Sequence, residues 1–177
     1  MKLRALLFSA LLFISPAQAQ RIPLDHYLLL KTIQEDGVGV YVNHPQEICR
    51  PGGISGQVAK INGRQAIIVC QDGYDLGDDT SMVEWSDNDL DTIRHEIIHL
   101  AQDCARGSKV DNKFGPIFPS LDGVMASLGP FEVLRIADLY KRNGASQEII
   151  EYEYEAFYAA AYLSAHQITE IYKHYCK

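Results

Sequence analysis

The chain has 177 residues, with 16 basic and 23 acidic side chains and a formal net charge of −7 at pH 7. Nucleic acids and anionic membrane surfaces are poor partners for such an acidic protein, because both carry negative charge. The length is enough for one domain with a substantial core but not comfortably for two, so we expect a single domain.

The first nineteen residues have the pattern of a signal peptide. Lys2 and Arg4 form a basic start, residues 5–14 form an apolar core, and Ala-Gln-Ala at 17–19 resembles a signal peptidase site. The apolar stretch is too short for a comfortable transmembrane span, and no later segment is long enough. We therefore expect cleavage after Ala19, a mature domain over residues 20–177 without a membrane span, and a secreted or periplasmic location.

The mature chain opens with a predicted helix over 24–35, which stops before Gly37. Runs rich in apolar and β-branched residues then predict strands at 38–42, 57–61 and 64–70. The last two flank Asn62-Gly63, a strong hairpin signal because both central positions of a type I′ turn need positive φ. This part should be a small antiparallel sheet, and residues 81–85 could add a strand to which an extended peptide pairs.

The run His95-Glu96-Ile97-Ile98-His99 is the most informative stretch. Ser86 and the acidic residues after it favour a helix start, and apolar residues at helical spacing extend it over about 87–105. Residues four apart on a helix lie one above the other, so both imidazoles can bind one zinc ion. Glu96 beside them can serve as a general base. The competing interpretation is that these are ordinary residues of a helix surface.

Three further helices are predicted at 131–142, 146–164 and 167–175. The fold class is therefore α+β, with a small antiparallel sheet followed by a mainly helical core. An even number of cysteines in an exported chain suggests disulfides. Two of the four flank the predicted hairpin and two end predicted helices, which favours the pairs Cys49–Cys70 and Cys104–Cys176.

A catalytic zinc needs a third protein ligand, and a glutamate cluster in the predicted helix at 146–164 supplies candidates. Glu151 and Glu155 share one helix face, whereas Glu153 points about 200° away from either. The face of Glu153 continues with small residues, which let two helices approach closely, so we favour it. Weaker candidates elsewhere are Asp103, Asp122, His166 and His174.

These motifs resemble a small zincin-type metallopeptidase of the gluzincin kind. The resemblance rests on His95-Glu96-x-x-His99 and on Glu153-x-x-Ala156, and it implies a zincin-like core with Glu153 as the third zinc ligand. Four residues after that ligand the family usually has Asp, Glu or Asn, but this chain has Phe157. The residue that supports a zinc-bound histidine is thus unassigned, and Glu151 and Glu155 stay open as ligands.

The expected function is an exported zinc metallopeptidase that hydrolyses a peptide or protein substrate. Zinc would activate a water molecule, and Glu96 would take its proton. A tyrosine such as Tyr158 or Tyr162 could stabilise the oxyanion. The alternative is a binding module without catalysis, stabilised by zinc and disulfides. Glu96 discriminates between them, because a structural site needs no base.

Overall fold

The structure is a computed structural model that describes residues 22–44, 48–50, 53–72, 84–107 and 114–177. The predicted signal peptide lies outside the described residues, and so does most of the predicted strand at 81–85. Glu84 and Trp85, the described end of that run, are in neither a strand nor a helix.

The described residues form an α+β fold of six helices and three strands, as predicted. In chain order these are α1 (Leu24–Glu35), β1 (Gly39–Val42), β2 (Gly56–Ile61), β3 (Arg64–Val69), α2 (Asp87–Ala105), α3 (Leu121–Leu128), α4 (Pro130–Arg142), α5 (Gln147–Tyr162) and α6 (Ala165–Cys176).

The sheet has the order β1-β3-β2 and is mixed rather than wholly antiparallel. β2 and β3 form the predicted hairpin, and Asn62 and Gly63 adopt φ of 53° and 78° in its turn. β1, however, pairs with β3 in parallel, so the prediction was wrong for this strand. Local turn chemistry determines the hairpin, whereas β1 docks on the far side of β3 through a longer connection. The central position of β3 agrees with its continuous buried run, Ala66–Val69.

α2 lies between the sheet and the helices α5 and α6. Ser86 caps its start: the hydroxyl accepts from the backbone N–H of Asp89, whose carboxylate accepts from the N–H of Ser86. Ile93, Ile97 and Leu100 are fully buried in the main core. The helix carrying the two histidines is therefore held rigidly by packing on several sides.

A second, smaller core joins α3, α4 and α5 around Val124, Ile136, Ile150 and Tyr154. α3 was not predicted from the sequence. It has only eight residues, contains Gly123 and lies between prolines at 119 and 130, so its local helical signal is weak. Ser120 nevertheless caps it by accepting from the N–H of Gly123.

Both predicted disulfides are confirmed, Cys49–Cys70 and Cys104–Cys176. The second joins the end of α2 to the end of α6 across 72 residues of sequence. Two disulfides in a chain of this size are typical of proteins from oxidising compartments. In the described part of the chain, no helix has the length and apolar character needed to cross a membrane.

Candidate metal centre

His95 and His99 face each other along one side of α2. Their Nε2 atoms are 3.1 Å apart, and their side chains are 12% and 8% exposed. This is what the four-residue spacing predicts, because successive turns of the helix stack side chains on one face.

Glu153 brings its carboxylate to both imidazoles from α5. One oxygen, Oε2, lies 3.2 Å from Nε2 of His95, and the other, Oε1, lies 3.5 Å from Nε2 of His99. α5 packs extensively on α2, and the face of α5 that carries Glu153 includes three buried alanines, Ala156, Ala159 and Ala160. His95, His99 and Glu153 together form the metal group. They can hold a metal ion, since one ligand atom from each lies within 4.8 Å of the others.

The two alternative glutamates point elsewhere. Glu151 accepts a hydrogen bond from Gln147 on the exposed side of α5. Glu155 is buried but turns toward a loop, where it accepts from the backbone N–H groups of Ile117 and Phe118. Among the described residues, His95, His99 and Glu153 form the only such group, so none of the weaker sequence candidates joins it.

Electrostatics couple the three groups strongly. Burial alone would raise the pKa of Glu153, but the two histidines outweigh it and hold that pKa well below the usual range. Burial likewise opposes a charged His99, but its hydrogen bond with Glu153 and the nearby carboxylates raise its pKa to about 9. Oε2 of Glu153 is buried and, despite its distance to His95, makes no well-directed hydrogen bond. A cation at this point would satisfy that oxygen.

Glu96 is buried between α2 and the edge strand β2. Burial raises the pKa of its carboxyl group, although the neighbouring histidines and a hydrogen bond from the backbone of Val58 oppose the shift. Gly56 passes so close that a Cβ there would lie 2.8 Å from Oε1 of Glu96. The carboxyl group therefore lies beside the two histidines and Glu153, and against a strand edge.

Tyr140 of α4 hydrogen-bonds Glu153, although it was not predicted from the sequence as a site residue. Burial and the charge and hydrogen bond of Glu153 raise the pKa of its hydroxyl, which therefore stays protonated. The suggested tyrosines have other contacts: the hydroxyl of Tyr162 donates to the carbonyl of Ser127, and Tyr158 packs on Phe118. Nothing in the local sequence distinguishes Tyr140, because the folding of α4 onto α5 places it there.

Phe157 occupies the position where the resemblance would place a polar supporting residue. Its ring packs edge-on against His95, with the centroids 4.7 Å apart. The polar side chain of Gln102 instead contacts His99: Oε1 of Gln102 lies 2.7 Å from Nδ1 of His99. Gln102 follows His99 by three residues on the same helix face, a spacing that the sequence shows but that has no recognised motif.

No protein-family model, curated protein or solved structure matches this chain. Support for a function therefore comes from the geometry of the site itself. This site is a buried group of two imidazoles and one carboxylate beside a buried glutamate.

Proposed function

We propose that this chain is an exported zinc-dependent metallopeptidase, with zinc held by His95, His99 and Glu153 and with Glu96 as general base. The observation that carries the proposal is the convergence of these four side chains from two helices. A metal site that served only to stabilise the fold would not need a buried carboxyl group beside its ligands.

The donor atoms suit zinc in kind and spacing. Two imidazole nitrogens and a carboxylate oxygen form one of the standard ligand sets of catalytic zinc, with the fourth position open. Tetrahedral ligands about 2.05 Å from zinc are roughly 3.3 Å from each other. The two imidazole nitrogens are 3.1 Å apart, and each lies 3.2 or 3.5 Å from a different oxygen of Glu153, all close to that value.

The chemistry proposed for the residues follows from their protonation. A bound zinc ion would act as a Lewis acid, which polarises a carbonyl group and lowers the pKa of water. Glu96 would accept a proton from the attacking water and then donate it to the leaving amine; burial raises the pKa of this carboxyl group, which favours holding the proton between the two steps. The hydroxyl of Tyr140 stays protonated and hydrogen-bonds Glu153; during the reaction its O–H would turn from that carboxylate to donate to the developing oxyanion.

The strand edge beside Glu96 supports a peptide as the substrate. β2 is an outer strand, and among the described residues it pairs only with β3. The other edge of β2 faces α2, where the backbone of Val58 contacts Glu96. An extended peptide could add to such an edge and present a backbone carbonyl to the metal.

Metal content and hydrolysis of a broad peptide panel test the proposal. We expect the wild type to bind zinc and cleave, Glu96→Gln to keep zinc without cleaving, and His99→Ala to lose both. Glu153→Gln should lose zinc affinity, whereas Glu151→Gln, a matched change of a half-buried carboxylate two residues away, should not. A wild type that binds zinc but cleaves nothing would favour the alternative, a zinc- and disulfide-stabilised binding module.

Export is tested separately. The two disulfides support it, and we expect the chain expressed in bacteria to be recovered outside the cytoplasm with Gln20 at its N-terminus. Recovery of uncleaved chain in the cytoplasm would contradict it.

A further inference from the structure

A chain of buried hydrogen bonds leads from His99 away from the metal group. Nδ1 of His99 lies 2.7 Å from Oε1 of Gln102, and Nε2 of Gln102 donates to Oε2 of Glu155 at 2.9 Å. Gln102 is fully buried and Glu155 is 2% exposed. Neither side chain contributes to the donor set of the metal group.

The direction of these hydrogen bonds is determined by the acceptors around the Gln102 amide. Its nitrogen lies 3.0 Å from the carbonyl oxygen of Tyr152 and 2.9 Å from Glu155, and both of those groups are acceptors. If the amide were flipped, its oxygen would face two acceptors in a buried site, which is costly. Oε1 must therefore face His99, and Nδ1 of His99 must carry a proton.

Glu155 is held in turn by the loop before α3. Its carboxylate accepts from the backbone N–H of Ile117 at 3.1 Å and of Phe118 at 3.0 Å. The same loop carries Phe114, whose ring stacks on His99 with the centroids 5.2 Å apart. The loop thus supports His99 both by ring stacking and through the hydrogen-bond chain.

We propose that Gln102 is a positioning residue of the metal centre: oriented by Glu155, it fixes His99 with Nδ1 protonated and Nε2 directed at the metal. Histidine ligands usually donate their second N–H to a partner that fixes the ring orientation and tautomer. Here the partner of His99 is the neutral amide of Gln102, and the carboxylate of Glu155 binds that amide and not the imidazole. The inference rests on the proposed zinc site but not on peptidase activity.

The first test is zinc affinity, measured by competition with a chromogenic chelator. Gln102→Leu keeps most of the side-chain volume but removes the acceptor, so we expect the Kd to rise about 10- to 100-fold. Gln71→Leu is the matched control, because Gln71 is also a buried amide, bonded to Asn43 away from the metal group. Equal affinities in the two variants would overturn the proposal.

A reciprocal exchange separates positioning from a merely structural role. Gln102→Glu alone places two carboxylates side by side, and Glu155→Gln alone removes the acceptor for Gln102. The double variant Gln102→Glu/Glu155→Gln keeps an acceptor facing His99 and gives the new carboxylate a donor at residue 155, although an oxygen of residue 102 still faces the carbonyl of Tyr152, as it does in Gln102→Glu alone. We therefore expect the double variant to bind zinc more tightly than Gln102→Glu. A double variant no better than Gln102→Glu would refute the assignment.

The third measurement needs no substitution. In zinc-loaded wild type labelled with ¹⁵N, we expect a slowly exchanging proton on Nδ1 of His99 and none on Nε2. A proton on Nε2 would overturn the proposal even if the variants failed to fold. If the wild type binds zinc with this tautomer but hydrolyses no peptide, the proposed function fails and the positioning role stands. If it binds no zinc, both fail.

Discussion

The close approach of β2 to α2 makes Gly56→Ala a sensitive probe of the site. A Cβ at this position would lie 2.5 Å from Cγ2 of Thr92 and 2.8 Å from Oε1 of Glu96. Thr92 cannot easily turn away, because its hydroxyl donates to the carbonyl of Asn88 at 2.8 Å. Ordinary contacts between such atoms are about 3.5 Å or more, so the strand or Glu96 must move by roughly 1 Å.

A displacement of that size determines the expected effect. Misplacing a catalytic group by about 1 Å can lower the rate about 100-fold, so kcat/KM of Gly56→Ala should fall by about that factor. The free energy of unfolding should fall by about 1–3 kcal/mol, the usual cost of overpacking. Zinc affinity should stay near the wild-type value, because neither Thr92 nor Glu96 belongs to the donor set.

The assay compares kcat/KM on a cleaved peptide, zinc affinity and chemical denaturation. Gly39→Ala is the control: its Cβ would meet the ring of Tyr41 at 2.8 Å, but β1 is the opposite edge of the sheet from β2. Wild-type kcat/KM in Gly56→Ala would refute the contact between β2 and Glu96. An equal loss in Gly39→Ala would show that general damage to the sheet is responsible.

Three further outcomes are expected. Tyr140→Phe should lower kcat about 100-fold or more when kcat is measured at saturating zinc, as removal of an oxyanion donor does, whereas Tyr162→Phe should leave kcat unchanged; equal values would remove Tyr140 from the mechanism. Replacing Cys104 and Cys176 together by alanine should lower the free energy of unfolding by about 4 kcal/mol, because the disulfide closes a long loop; denaturant titration with no loss would contradict this. Gly123→Ala should raise the free energy of unfolding by about 0.5–1 kcal/mol, because alanine favours a helix interior and its Cβ would meet only Ser120, at 3.5 Å; a lower denaturation midpoint would count against it.

Local features of the sequence were sufficient for most elements. The bounds of α1 and α2 were predicted to the residue, because capping residues, glycine stops and helical spacing of apolar residues all act over a few positions. The hairpin at Asn62-Gly63 follows from the same kind of short-range constraint. The sequence also placed His95 and His99 on one helix face, since that depends only on helix geometry.

Glu153 was distinguished from Glu151 and Glu155 partly by local sequence and partly by tertiary packing. Its helix face was distinguishable from sequence, and the small residues following it indicated where a close helix contact could form. The structure places Glu153 at the histidines and turns Glu155 to the loop at Ile117, because α5 packs on α2.

Only the tertiary structure decided which residues surround the metal group. Tyr140, Gly56 and the Glu155 partner of Gln102 come from separate elements, and their positions depend on how α4, β2 and α5 pack on α2. The parallel pairing of β1 is of the same kind, since no turn residue specifies it. Local periodicity determines the faces of each helix and strand, whereas contacts between distant segments depend on burying all of those faces together.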